Sequence, residues 1–297
     1  MKNTLISFIF FFPLLCATSR ASSLQVVASI KPIHSIVASI MNGVGKPSLL
    51  VKGNSSPHEY SLRPSDTMML KNADIIFWLG SEMEFFLVKP LDYVDKQSNI
   101  ITLSNSPNLH KITLPQKQQD HHHGGAVVYD MHLWLAPINA KHMAHVIAKE
   151  LIKNDPKNKE IYTKNEEDFG TKLDKLDKEL HDILLPVQGK KIIVSHGAYR
   201  YFEKHYNLQI IDSVMPNTIL LGAKSLQRIK DKIVSEKVSC LFYEPEFDSK
   251  IIQSIANNTG IIVGMLDPEG SLLPEGPDLY FQLLRNLSKS IAQNCIS

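Results

Sequence analysis

The sequence predicts an α/β protein of two lobes, each a small parallel sheet flanked by helices, joined by a single long connecting helix. Three observations carry this. Apolar, strand-like runs alternate with helix-like periodicity in the first half of the chain. The same alternation resumes at Lys191 and runs to the end. Between the two halves lies a charged segment with one narrow apolar stripe.

The elements follow in order. Residues 24–29 are β-rich, Pro32 opens an amphipathic helix to Met41, and residues 47–52 are again strand-like. Residues 65–72 read as a helix with Ser65 as its cap, 73–79 as a buried parallel strand and 100–103 as another. Asp155 and Pro156 break one helix. The next carries apolar residues at Phe169, Leu173, Leu176, Leu180 and Ile183, whose 4-3-4-3 spacing marks one buried stripe. Too few heptads are present for a coiled coil, so this segment is expected to be a stiff connector packed on both lobes. Strands at 191–195, 208–212, 238–243 and 261–266 then alternate with helices at 197–205, 225–235, 248–258 and 278–294. The expected boundaries are a signal peptide at 1–21, an N-terminal lobe at 22–155, the connecting helix at 156–186 and a C-terminal lobe at 187–297.

The first residues explain the export reading. Lys2 precedes an apolar run from Leu5 to Leu15, shorter than the roughly 20 residues a bilayer span needs. Ser19 and Ala21 flank Arg20 in a small-x-small pattern, so cleavage is expected near Ala21, with a periplasmic mature chain. Cys16 as a lipid anchor is the competing reading, against which Pro13, Leu14 and Leu15 stand where small residues are wanted. Removing residues 1–21 takes away Lys2 and Arg20 and no acid, leaving 30 basic and 30 acidic side chains. That balance suggests no nucleic-acid partner. No later apolar run approaches 18 residues, so no membrane insertion is expected, and the mature chain is read as a monomer. Cys240 and Cys295 remain as an even pair in an oxidising compartment and are expected to be bridged, a constraint worth about 4 kcal/mol; two free buried thiols are the alternative.

Twelve histidines are many for 297 residues. Three lie at strand ends or on loops, where ligands of parallel α/β sheets gather: His58 in a turn-rich loop, His132 in another, and His196 directly after the strand from Lys191. Any one of them alone is more often a packing or surface residue than a ligand. His121, His122 and His123 fall in a polar loop without periodicity, where a weak accessory metal site and a merely solvated loop are both open. His34, His110, His142, His145, His181 and His205 read as surface or packing residues.

The segments SPHEYSLRPSD (56–66), DMHLWLAP (130–137) and SHGAYRYF (195–202), in that order, resemble the metal-binding signatures of the zinc-specific solute-binding proteins of bacterial ABC importers, the ZnuA type. LDPEG (266–270) and the pair Cys240/Cys295 fit the same family. The resemblance implies two α/β lobes joined by a long helix with the metal between them, one tightly held Zn(II) as transported cargo, and a membrane permease as partner. It also implies that His58 and His132 bind from the first lobe and His196 from the second.

Donor chemistry agrees with zinc, because neutral imidazole suits zinc whereas manganese prefers oxygen. A manganese or iron binder of the same family would place a carboxylate where His196 stands. Some members use an acid just before the first histidine, where this chain has Pro57. The fourth position is therefore expected to fall to Asp267, directly or through water, with Glu59 or water alone as alternatives. Three histidines and an open place also describe a zinc-dependent hydrolase or hydratase. No His-Glu-x-x-His helix, Gly-x-Ser-x-Gly elbow or Gly-rich phosphate loop supports an enzyme, so a carrier is expected, ahead of an adhesin-like surface protein.

Overall fold

The computed structural model describes residues 24–95, 97–114, 127–215 and 222–296; the expected signal peptide and His121 to His123 lie outside them. The first lobe runs β1 (Val26–Ala28), α1 (Lys31–Ile40), β2 (Ser48–Leu49), α2 (Pro64–Lys71), β3 (Ile75–Trp78), α3 (Val88–Leu91), β4 (Asn99–Thr102) and α4 (Pro137–Asn154). The connector is α5 (Lys159–Leu184). The second lobe runs β5 (Lys191–His196), α6 (Arg200–Tyr206), β6 (Gln209–Met215), α7 (Ala223–Ser235), β7 (Cys240–Tyr243), α8 (Lys250–Thr259), β8 (Ile262–Met265) and α9 (Leu279–Cys295).

Each sheet has four parallel strands, in the orders β2-β1-β3-β4 and β6-β5-β7-β8. The two orders are the same when each lobe is counted from its own first strand. In both, the first strand is flanked by the second and third, so crossovers leave in opposite directions from it. Loops at its carboxyl end open a crevice there, where open α/β sheets bind ligands. The end of β5 is His196 itself, and the residue opening α1 after β1 is Lys31.

The stripe on α5 is buried as the spacing requires: Phe169, Leu173, Leu176 and Leu180 lie inside, with Tyr162 before them. Its last buried position is Leu184, while Ile183 is only partly covered, because 3.6 residues per turn carries the stripe one place past the expected residue. The helix is 26 residues long and flanked by 3-10 turns at Pro156–Asn158 and Leu185–Val187. A second difference is the start of α2. The helix begins at Pro64 rather than Ser65, and Asp66 caps it by accepting a hydrogen bond from the Arg63 backbone N–H at 2.8 Å. Pro at the first turn costs no intrahelical bond, which is why the start slides to Pro64.

One hydrophobic core runs through both lobes and the connector, from Val26 and Ile33 through Trp134, Phe169 and Leu180 to Phe242 and Leu287. Smaller clusters cover the outer face of each sheet, around Ile76 in the first and Leu241 in the second. Helix α9 is central to this joint. It packs along α5, Arg285 forks onto Glu179 at 2.7 and 2.8 Å, and Tyr280 donates to the Trp134 carbonyl at 2.5 Å. The Cys240–Cys295 disulfide, with Cα atoms 5.1 Å apart, ties its end to β7. At Gly264 in β8, a Cβ would stand 2.4 Å from the Phe242 ring and 2.7 Å from the Asn294 amide, so only glycine lets α9 lie this close.

Candidate metal centre

The three histidines singled out from the sequence meet. One ring nitrogen from each of His58, His132 and His196 lies within 4.8 Å of the others, and the ring centroids are 5.0 to 5.5 Å apart. His132 and His196 are buried, and His58 is the exposed member. Local structure explains the placement. His58 rides the loop between β2 and α2, anchored where Tyr60 donates to the capping Asp66 at 2.9 Å. His132 precedes the 3-10 turn Leu133–Leu135, whose Trp134 and Leu135 are fully buried and fix it from below. His196 is delivered by β5, one of the two inner strands of its sheet.

Two of the three rings are oriented by carboxylates. His132 Nδ1 lies 2.8 Å from Asp130 Oδ1, and the His132 backbone N–H donates to the same oxygen at 2.9 Å. His196 Nδ1 lies 3.3 Å from Glu244 Oε2, while Glu244 Oε1 accepts from the Tyr199 hydroxyl at 3.0 Å. A proton on each Nδ1 facing a carboxylate leaves Nε2 free as the metal donor, the usual arrangement around zinc-binding histidines.

The electrostatics favour neutral imidazoles. Although the His58 residue keeps solvent contact, desolvation by the protein crowded around its ring, then the charges His132 and His196 would carry, pushes its pKa well below the ordinary 6.5, against a smaller upward pull from Asp130. Burial also lowers His132, opposed by Asp130. Burial would raise Asp130, but His132 and Arg200 together hold its carboxyl below the usual range. An ionised carboxylate behind a neutral ring makes that ring a better donor.

Asp267 is placed differently from the three histidines. Its Oδ1 accepts from the Ser271 N–H at 2.9 Å and its Oδ2 from the Leu272 N–H at 3.0 Å, so both oxygens organise the turn after β8. Among the described residues it is not part of the group whose donor atoms lie within 4.8 Å. Its charge is nevertheless felt nearby, raising the Tyr199 hydroxyl and the Glu246 carboxyl, each of which burial raises first. Glu59, the other candidate, is exposed and lines a groove with Ser56, Arg63, Glu246 and Phe247, the last of which stacks edge-on with His196 at 5.7 Å.

Asp130, Glu244, Arg200 and Lys31 were not singled out from the sequence. Asp130 had a signal, an acid two residues before a candidate histidine; Glu244, 48 residues from His196, had none without the fold. Arg200 Nη1 bridges the lobes, donating to Asp130 Oδ2 at 3.0 Å and to the Gly197 carbonyl at 2.7 Å. Lys31, 8% exposed, gives its ammonium to three carbonyls of the other lobe, Ser271 at 2.6 Å, Leu273 at 3.0 Å and Gly270 at 3.3 Å. Trp134 Nε1 adds a bond to the Pro268 carbonyl at 2.8 Å.

Two parallel α/β lobes on a long helix, with a histidine triad at their junction, define a solute-binding protein of the two-lobe metal-binding class. The comparisons with known proteins agree. Residues 26–294 match the family described as "ZnuA: Zinc-uptake complex component A periplasmic". The high-affinity zinc uptake system protein ZnuA of Brucella suis is 38% identical, with 95% of each chain covered, and that of Yersinia pestis 35% identical, with 93% of this chain and 92% of the relative covered. A crystal structure of ZnuA superimposes with a TM-score of 0.80 at 27% identity, over 92% of this chain and 99% of that one. The periplasmic zinc-binding protein TroA from Treponema pallidum shares the fold, with a TM-score of 0.78 at 17% identity over 93% and 100% of the two chains. The chain belongs to the ZnuA family.

Proposed function

We propose that this protein captures one Zn(II) in the periplasm, with His58, His132 and His196 as direct ligands, and delivers it to the membrane permease of an ABC-type importer. The observation that carries this reading is the convergence, from two lobes, of three imidazole donors within 4.8 Å. An all-nitrogen donor set of this kind selects zinc over manganese, which wants oxygen. The site acts as a carrier rather than as an enzyme. Asp267 completes it, directly or through a water molecule, since each of its oxygens accepts one backbone N–H and keeps a second lone pair. No helix among the described residues is long and apolar enough to cross a membrane. The short apolar run behind Lys2 and the Ser19-Arg20-Ala21 pattern support export with cleavage near Ala21, and in this reading the mature chain works as a monomer.

The test is a competition titration of the chelator-stripped protein, zinc against manganese, with the metal counted per chain. One tightly held zinc that excess manganese does not displace is the expected result. Equal retention of manganese would overturn the assignment. Uptake of zinc into vesicles carrying the permease, dependent on added protein, tests the delivery step.

A further inference from the structure

A second group of donors is centred on the connecting helix, outside the histidine triad. Asp177 and His181 stand one turn apart on α5, at the i and i+4 positions that share a helix face. His205 reaches them from α6. One donor atom from each of the three lies within 4.8 Å of the others. His205 Nε2 is 2.8 Å from Asp177 Oδ1, and the buried Tyr206 donates its hydroxyl to the same oxygen at 2.7 Å. The His181 ring is 5.5 Å from that of His205.

A purely structural network accounts for part of this group and not for the rest. Asp177, His205 and Tyr206 satisfy one another, and both hydrogen bonds fall on Oδ1. His181 is exposed and makes ring contacts, to His205 and Tyr206, with no hydrogen bond to either. Two imidazoles and one carboxylate form a donor set that zinc accepts, with water completing four-coordination. Donors on a tetrahedral zinc stand about 3.4 Å apart, so small side-chain rotations would bring these three onto one ion. Tyr206 holds the carboxylate, as outer partners of metal-ligating carboxylates do.

We propose that Asp177, His181 and His205 form a second, weaker and solvent-accessible site for a divalent transition ion, filled by zinc once the triad is loaded. An ion there would clamp α6 to the connecting helix. Because α6 begins at Arg200, just past His196, the clamp would act on the segment that carries the second lobe's ligand.

The test uses the full-length chain, loaded with one zinc and then dialysed against about 100 µM free zinc. Wild type should retain one more zinc per chain than the His181→Ala/His205→Ala variant, and both should keep the first. Equal counts would overturn the proposal. Should the double variant lose the first zinc as well, Asp177→Asn replaces it, with the same expected loss of one ion. Nickel added to zinc-loaded wild type supplies an independent reading. The ring-proton NMR signals of His181 and His205 should shift or broaden at micromolar nickel, and signals unmoved to 1 mM would overturn the site.

Discussion

Arg200 of the second lobe donates to Asp130 of the first at 3.0 Å, and the same nitrogen donates to the carbonyl of Gly197, the residue after His196. Asp130 in turn orients His132. The His132 ring is therefore linked by hydrogen bonds, across the lobe junction, to the backbone beside His196. Together with the Lys31 and Trp134 bonds and one continuous core, this makes the lobes a tightly joined pair.

Replacing Asp130 with Asn removes the charge behind His132 and frees its tautomer. Zinc affinity should fall about 10- to 100-fold, the usual cost of losing such an outer partner, while one zinc per chain is still bound at saturation. A chelator-competition assay measures this; unchanged affinity would show that Asp130 does not tune the ligand.

Acid should displace zinc less readily than three ordinary histidines would allow. The pKa values of His58 and His132 are lowered, so both rings remain neutral below pH 6.5, and protons compete with the ion only at lower pH. Calorimetry at pH 5.5 in buffers of different ionisation enthalpy should find well under the roughly 2.7 protons per zinc that three histidines of ordinary pKa would release. Release near that number would contradict the lowered values.

Glu84 gives the metal-free protein a pH-dependent stability. Burial raises its carboxyl to about 7, although backbone N–H groups of Leu79 and Gly80 favour the ionised form. A raised folded-state value means the contribution is complete below the unfolded value, near 4.5, and is lost as pH rises through 7. Glu84→Gln cannot ionise, so its stability relative to wild type should improve between pH 5 and pH 8 by on the order of 3 kcal/mol. Urea unfolding at the two pH values decides this, and a constant difference would count against the assignment.

Opening the Cys240–Cys295 bridge by substituting both residues with Ser should cost about 2 to 5 kcal/mol and lower the melting temperature. The bridge lies away from the triad, on β7 and the end of α9, so zinc stoichiometry should stay at one. Gly264→Ala should destabilise by about 1 to 3 kcal/mol through overlap with Phe242 and Asn294, read in the same unfolding assay.

Much of this was legible in the sequence because it is local. The strand and helix periods, the stripe on α5 and the paired cysteines each show within a short window, and the three histidines stand out in their loops. What was hidden is what the fold brings together over distance. Glu244 lies behind His196 only because β5 and β7 are neighbours, and Lys31 meets residues 270–273 only across the lobe junction. Asp267 reads as a ligand because it follows a strand, and what spacing does not reveal is that each of its oxygens also accepts a backbone N–H of the turn after β8. His181 and His205 looked like surface residues individually, and only the packing of α6 beside α5 makes them a pair.

The claim that the ion is shared between lobes by three imidazoles is tested most directly by titrating zinc into chelator-stripped wild type and His196→Ala. Wild type should bind one zinc tightly, and His196→Ala, its fold checked by circular dichroism, should lose at least 100-fold in affinity. A superimposable binding curve for the two proteins would contradict the account.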